Sequence, residues 1–162
     1  MFRGMRRSKQ QLPQETAVEI LNRNTSGVLA LYGDDGYPYA VPMSYVYADG
    51  KLYFHSAKTG HKIDAIRSNE KVSFCVVDQD LVVPEKYTTF FRSVIVFGRV
   101  GFVEDPGEMA RIATMLAMKY AAEYKDGIPK EIHASIQNMA ILELTIDHIT
   151  GKEAIELVNK KK

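Results

Sequence analysis

The sequence has few of the features that build disulfide-bonded, membrane-spanning or strongly charged proteins. Its 162 residues include one cysteine, Cys75, which excludes an internal disulfide and a cysteine-rich zinc module. The 21 basic and 20 acidic residues leave a formal net charge of +1, so no strong field attracts nucleic acid or a membrane surface. No apolar run approaches the roughly 20 residues that span a bilayer, and the basic start lacks a signal peptide's apolar stretch. These absences predict a cytoplasmic protein that binds neither nucleic acid nor membrane.

What the sequence does contain is typical of one globular domain. A chain of this length is expected to form a single domain, since most domains have about 100–200 residues, and 46% of its residues are hydrophobic and available for a core. We therefore predict one domain over 1–162. Within it we expect a basic N-terminal segment over 1–11 and a polar C-terminal tail over 152–162.

Strand-like runs and tight turns dominate the first half of the chain. Asp35-Gly36 and Asp49-Gly50 each separate two apolar or aromatic runs. Such pairs are typical of β-hairpins, because type I′ turns need a positive φ at both central residues. Pro38 and Pro42 fall inside the run between the two turns, which predicts an edge strand or a bulge, since proline cannot donate to the ladder.

Helices are predicted on either side of the strands. Apolar residues at helical spacing follow Pro13, and Asp105-Pro106 begins the longest helical pattern. The longest strand-like run covers 89–103, and the polar stretch 78–88 before it predicts a loop. About six strands with helices inserted before and after them predict an α+β fold built on a small antiparallel barrel.

The segment 54–64 is the most informative about function, because it joins a strand end, a turn and a helix start. The first N–H groups of a helix and its positive dipole end favour an anion. Ser56 and Thr59 add hydroxyl groups, and His61 and Lys62 add cationic donors. This combination predicts a clamp for a phosphate monoester. An ordinary N-capped helix with solvated side chains is the competing interpretation.

Other chemistries find little support in the residue spacing. The four histidines lack the spacing of metal ligands, so we predict no metal site. Ser56 beside His55 does not make a nucleophile and its base, because adjacent strand residues point to opposite faces. Neither a GxGxxG fingerprint after a strand nor a Walker motif is present, which disfavours a dinucleotide fold and an NTPase.

Three segments, in order along the chain, resemble one known family. They are DDGYPYAVP (34–42), YFHSAKTGHK (53–62) and FRSVIVFGR (91–99), with MRR (5–7) and TGKEA (150–154) at the ends. Together they are similar to the pyridoxamine 5′-phosphate oxidase-like flavoproteins, and within them to the branch related to nitroimidazole-resistance proteins. The resemblance covers about 5–157.

The resemblance implies an α+β fold of a particular kind, an antiparallel split β-barrel with flanking helices. It implies a homodimer with one FMN in each of two clefts between the subunits, acting as a small oxidoreductase on a small-molecule substrate. In such a cleft the protein provides orientation and electrostatics and the flavin provides the redox chemistry. A flavin-binding store or sensor without turnover, and haem or deazaflavin in the same cleft, are the alternatives.

The resemblance also assigns residues to the site. His55 matches a histidine that is tied to activity in nitroimidazole-resistance relatives, so it is the candidate catalytic residue. Ser56, His61 and Lys62 are implied to hold the phosphate, with the residues at 92 and 93 nearby. The complete set of implied cofactor-binding residues is Val41, Pro42, Met43, Ser44, Tyr45, His55, Ser56, Ala57, Gly60, His61, Lys62, Arg92 and Ser93.

Overall fold

One antiparallel sheet of eight strands is the framework of the computed structural model, which describes residues 1–160. The strands are β1 (Gln11–Leu12), β2 (Ser26–Tyr32), β3 (Pro38–Ser44), β4 (Val46–Ala48), β5 (Lys51–Ala57), β6 (Lys71–Val83), β7 (Thr88–Val103) and β8 (Met139–Glu153). The α-helices are α1 (Gln14–Arg23), α2 (His61–Ser68), α3 (Pro106–Ala121), α4 (Ile128–Ser135) and α5 (Ile155–Asn159).

Neighbouring strands follow the order β3-β2-β6-β7-β8-β5-β4, and β1 pairs with β8. Within the described chain the two ends of this order, β3 and β4, do not pair, so the sheet stays open. Helices flank the sheet, and the predicted α+β antiparallel split-barrel fold is confirmed. Strand β3, which holds both prolines of the second predicted strand, lies at an edge as expected.

Both predicted Asp-Gly turns are confirmed by their backbone angles. Asp35 and Gly36 have φ of 55° and 78°, and Asp49 and Gly50 have φ of 54° and 75°. Positive φ at two successive residues matches the twist of the flanking strands. The first turn therefore sends the chain from β2 back along β3, and the second connects β4 to β5.

A long hairpin replaces the loop that was predicted over 78–88. Strands β6 and β7 pair from Lys71 opposite Arg99 as far as Val83 opposite Thr88, with a bulge at Asp78. A short 3-10 turn over Pro84–Lys86 closes the hairpin. The loop prediction was wrong because ladder hydrogen bonds join backbone groups, and they form whether the side chains are polar or apolar.

Two hydrophobic clusters lie on opposite faces of the sheet. The larger is covered by α1 and α2 and contains Phe54. The smaller lies under α3, where Tyr53 and Ile141 pack with Ile112 and Leu116. Because successive strand residues point to opposite faces, the neighbours Tyr53 and Phe54 belong to different clusters. We call the face under the larger cluster the inner face and the opposite one the outer face.

The segment predicted as a polar tail (152–162) is part of the fold as far as it is described. Its first two residues complete β8, where Glu153 is buried, and α5 follows. Residues 161 and 162 lie outside the described residues. At the other end, the basic segment is also held by contacts, since the ring of Phe2 stacks on His148 with centroids 4.7 Å apart.

The hydroxyl of Tyr120 joins the end of α3 to the point where β3 passes into β4. Its oxygen accepts a hydrogen bond from the Tyr45 N–H at 2.9 Å, and its proton faces the carbonyl oxygens of Thr25 and Tyr45. The adjacent Lys119 donates to the carbonyl of Asn24 at 2.6 Å. Burial lowers the pKa of Lys119. The C-terminal turn of α3 is therefore fixed to the main chain of two strand ends.

Candidate functional site

The predicted cofactor residues fall into three groups in the fold. The first group runs along the second half of β3 and the residue after it, the second lies where β5 ends and α2 begins, and the third is on β7. The groups are Val41, Pro42, Met43, Ser44 and Tyr45; then His55, Ser56, Ala57, Gly60, His61 and Lys62; then Arg92 and Ser93.

The start of α2 has the features of an anion site. Gly60 is its N-cap at φ 122°, and no side chain of the described chain accepts from the N–H groups of the first turn. A Cβ placed on Gly60 would meet no atom within 4 Å, so the space in front of the helix is open. His61 is exposed and Lys62 is half-buried. Unpaired N–H groups and the positive end of the helix dipole thus lie where a histidine and a lysine begin the helix.

The ring of His61 connects α2 to the hairpin of β2 and β3. It stacks on Tyr39 with centroids 4.1 Å apart and planes 14° apart. Its Nε2 lies 3.6 Å from Oδ2 of Asp34, whose side chain is 89% exposed. This stack places β3, the strand that carries most of the first group, beside the start of α2. Tyr39 was absent from the predicted set, although its place between the two prolines of an edge strand marked it as unusual.

Strand β3 divides the first group between two faces. Pro42 and Ser44 are exposed, whereas Met43 is buried in the larger cluster. Tyr45 is fully buried, and its hydroxyl donates to the carbonyl of Leu21 at 2.6 Å. Burial raises the pKa of Tyr45. Its side chain therefore belongs to the core and is not presented to a ligand.

His55 and Ser56 lie on opposite faces of β5. Ser56 shares the inner face with Phe54, which is fully buried, whereas His55 is exposed on the outer face, on the same side of the sheet as Tyr53. Ala57 is exposed at the end of the strand. Within one chain the imidazole of His55 and the hydroxyl of Ser56 are thus separated by the sheet, as strand alternation predicts.

Arg92 is held in a cluster of charged groups rather than at the start of α2. Its Nε donates to Glu153 Oε2 at 3.1 Å and its Nη1 to Asp78 Oδ2 at 3.2 Å. Asp78 also accepts two hydrogen bonds from Arg23, at 2.7 and 2.5 Å, and one from Asn24 at 2.8 Å. The hydrogen bonds from Arg23, Asn24 and Arg92 lower the pKa of Asp78 to about 2 against the opposing effect of burial. We call these five residues the Asp78 cluster.

The outer face of β2, β6 and β7 is apolar and exposed. Val28, Cys75 and Ile95 are direct neighbours across these three strands. Val28, Val77, Ile95 and Phe97 are each between 40% and 60% exposed. Burial raises the pKa of the Cys75 thiol. A continuous exposed apolar surface of this kind is typical of a contact surface in an assembly.

Two clefts of the described chain lie away from the predicted residues. One cleft of about 650 Å³ lies between the first two residues, the β2–β3 hairpin, the start of β6 and the middle of β7. Another of about 490 Å³ separates α3 from α4. Neither is lined by a residue of the predicted set. Over residues 1–160 no three His, Cys, Asp or Glu side chains form a metal-binding group, and no helix is long and apolar enough to span a bilayer.

Comparisons with known proteins place the chain in a family. The family model described as Pyridoxamine 5'-phosphate oxidase matches residues 13–153. No curated protein matches the chain. Solved structures do, and one is a conserved hypothetical protein, Rv2991, of Mycobacterium tuberculosis. That structure is 20% identical, covers 93% of this chain and 90% of its own, and has a TM-score of 0.80.

Two further structures resemble the chain. A Bacteroides thetaiotaomicron protein, whose name assigns it to 5-nitroimidazole antibiotic resistance, is 21% identical over 88% of this chain and 86% of its own, with a TM-score of 0.72. A FAD-binding protein of Mesorhizobium loti is 25% identical over 90% of this chain and 97% of its own, with a TM-score of 0.63. The resemblance inferred from the sequence is confirmed, and the chain belongs to the pyridoxamine 5′-phosphate oxidase family.

Proposed function

We propose that the chain binds a flavin, FMN, at the start of α2 and acts as an oxidoreductase on a small molecule. One observation carries the proposal: the N-terminus of α2 is uncapped and faces open space at Gly60, and His61 and Lys62 are the first two residues of the helix. Helix N-termini of this kind bind phosphate groups. The similar Mesorhizobium loti protein is named for binding FAD, which supports a flavin as the ligand class.

The residues at this position fit the phosphate of FMN. The first backbone N–H groups of α2 donate to it, Lys62 provides a cation, and Ser56 provides a hydroxyl at the end of β5. Lys62 has no hydrogen bond or ion pair within residues 1–160, so its ammonium is available. Arg92 and Tyr45 fit less well, since the Asp78 cluster holds the first and the core holds the second.

When bound, the flavin supplies the electron-transfer chemistry, and the chain orients it and controls protons around it. In this proposal the edge strand β3 lies beside the cofactor, because the Tyr39–His61 stack holds that strand against the start of α2. As an edge strand, β3 turns backbone carbonyls away from β2, and in this proposal they accept hydrogen bonds from the heteroaromatic ring. His55, exposed at the end of β5, is the titratable group proposed to exchange protons with the substrate.

A second copy of the chain completes the site in this proposal. The predicted residues lie on an open surface of one chain, whereas cofactor sites normally bury most of the ligand. The apolar outer face formed by Val28, Val77, Ile95 and Phe97 is the surface that the second copy would cover. The net charge of +1 is compatible with the association of two like subunits, since it gives little mutual repulsion.

The test of cofactor binding is a titration with FMN followed by absorbance and flavin fluorescence. We expect one FMN per chain and a yellow protein. Lys62→Ala is expected to weaken binding about 10- to 100-fold, because a hydrogen bond to a charged group contributes roughly 1.5–3 kcal/mol. Lys130→Ala, which removes an exposed lysine on α4, is the matched control and leaves the affinity unchanged. A wild-type protein that takes up no flavin refutes the proposal.

The same titration separates the alternative cofactors. Tighter binding of FAD or a deazaflavin than of FMN would identify that flavin as the cofactor. A haem spectrum from the purified protein would identify haem as the cofactor.

Turnover is tested in two steps. The bound flavin is first reduced anaerobically with NAD(P)H, the reductant of the proposed cytoplasmic setting, and nitro compounds and quinones are then added. Reoxidation by an acceptor supports an oxidoreductase, whereas a reduced flavin that passes electrons to none of them indicates a store or sensor. His55→Ala is expected to slow reoxidation without weakening FMN binding, and His133→Ala on α4 is its control.

A further inference from the structure

The groove between α3 and α4 has the form of a binding site for an elongated apolar ligand. Each helix lines it with side chains four residues apart, which places them in one stripe along the helix. On α3 the stripe is Pro106, Ala110, Thr114 and Met118, and on the other side it is Ile128 and Ile132 of α4 with Ile136 directly after that helix.

Small side chains on one wall open this groove. Ala110 and Thr114 of α3 face a wall of isoleucines on α4, so the two helices do not interlock along this line. The space between them is about 490 Å³, which is within the range of small-molecule sites. The α3 stripe from Pro106 to Met118 rises by roughly 18 Å. The groove is therefore long and narrow, and it suits a chain more than a ring system.

The ionisable side chains that line the groove are a lysine and a histidine. Lys125, just before α4, and His133, on α4, are exposed and have no hydrogen bond or ion pair within residues 1–160. No acidic side chain of the described chain lines the groove. Asp126 and Glu131 are near in sequence but are not among its lining residues. An apolar groove with a lysine ammonium and an imidazole at its solvent side is complementary to an apolar chain with one anionic end.

We propose that this groove binds a single-chain amphiphile with a carboxylate head, a medium-chain fatty acid. The alkyl chain lies along the stripe of α3 between Ala110 and Met118, and the carboxylate is held by Lys125 and His133. The proposal does not depend on flavin binding, because the groove contains none of the residues proposed for the cofactor. A protein that binds no flavin would still be expected to bind the fatty acid, so the two proposals fail separately.

The test is a calorimetric titration of the full chain with octanoate, decanoate and dodecanoate below their micellar concentrations. We expect one saturable site per chain. Each added methylene buries apolar surface, so affinity is expected to rise about fourfold per methylene and roughly fifteenfold for each two-carbon step. Dodecanol, which lacks the charge, is expected to bind at least tenfold more weakly than dodecanoate.

Matched variants locate the binding site. Lys125→Glu is expected to weaken dodecanoate binding at least tenfold, whereas Lys130→Glu makes the same charge change on α4 outside the groove and leaves it unaltered. Ala110→Phe fills the groove and is expected to abolish binding, with circular dichroism used to confirm that the variant is folded. Unsaturable binding, equal binding of dodecanol and dodecanoate, or equal affinities of the two lysine variants would overturn the proposal.

Discussion

Replacing Asp78 by asparagine tests how much the Asp78 cluster stabilises the junction of β6, β7 and β8. The side chain of Asp78 is 7% exposed and receives hydrogen bonds from Arg23, Asn24 and Arg92. These donors lower its pKa from 3.8 to about 2. Since one pKa unit corresponds to about 1.4 kcal/mol, the ionised form contributes about 2 kcal/mol to the free energy of unfolding at neutral pH.

The pH dependence of this contribution has a definite sign. A carboxyl group whose pKa is lower in the folded state stabilises the fold above its unfolded pKa. The stabilisation is then lost as the pH falls from about 4 towards the folded value of about 2. Asp78→Asn is therefore expected to be about 2 kcal/mol less stable than the wild type at pH 7, and the difference should shrink steadily below pH 4.

The assay is urea-induced unfolding of both proteins at pH 7, 4 and 3, at one fixed protein concentration. Asp147→Asn is the matched control, because Asp147 pairs with Arg99 while both side chains are well exposed, 32% and 48% respectively. Exposed pairs contribute little to stability. Equal losses in the two variants at pH 7, or a deficit of Asp78→Asn that persists unchanged at pH 3, would refute the assignment of a stabilising role to the cluster.

Three further predictions concern single side chains. Tyr45→Phe leaves the carbonyl of Leu21 without its buried donor, so the free energy of unfolding in urea is expected to fall by about 1–3 kcal/mol. No measurable decrease would show that this hydrogen bond does not stabilise the fold. Gly98→Ala places a Cβ against the backbone carbonyl of Thr145, so the free energy of unfolding is expected to fall by roughly 1–3 kcal/mol. An unchanged melting temperature would contradict this packing. Ile95→Glu introduces a charge into the apolar outer face and is expected to give a monomer by light scattering; a dimer as stable as the wild type would exclude this face as the interface.

Local chemistry made the turns and the edge strand predictable. A type I′ turn and a proline-bearing edge strand each depend on the φ preference or the hydrogen-bonding capacity of two or three consecutive residues. Those properties are visible at Asp35-Gly36, Asp49-Gly50 and Pro38 without knowledge of the rest of the chain. The start of α2 was predictable for the same reason, because Gly60 and the residues after it form a local pattern.

Pairings between distant residues were not predictable in this way. Arg92 meets a residue 14 positions away and another 61 positions away, and no local pattern reports either partner. Strand β6 continues through Gln79 and Asp80 because their backbone groups form hydrogen bonds with β7. The polar side chains of these two residues give no sign of that pairing. The contact between His61 and Tyr39 likewise arises only when α2 folds against β3.

The Tyr120 hydroxyl makes the docking of α3 measurable at a single amide. The Tyr45 N–H has a side-chain oxygen as its acceptor where the sheet would otherwise supply a carbonyl. That N–H is protected while Tyr120 holds it, and undocking of the last turn of α3 releases it to solvent. Hydrogen exchange at Tyr45 is thus sensitive to α3 undocking, and a ligand that stabilises α3 from its groove side would slow this exchange.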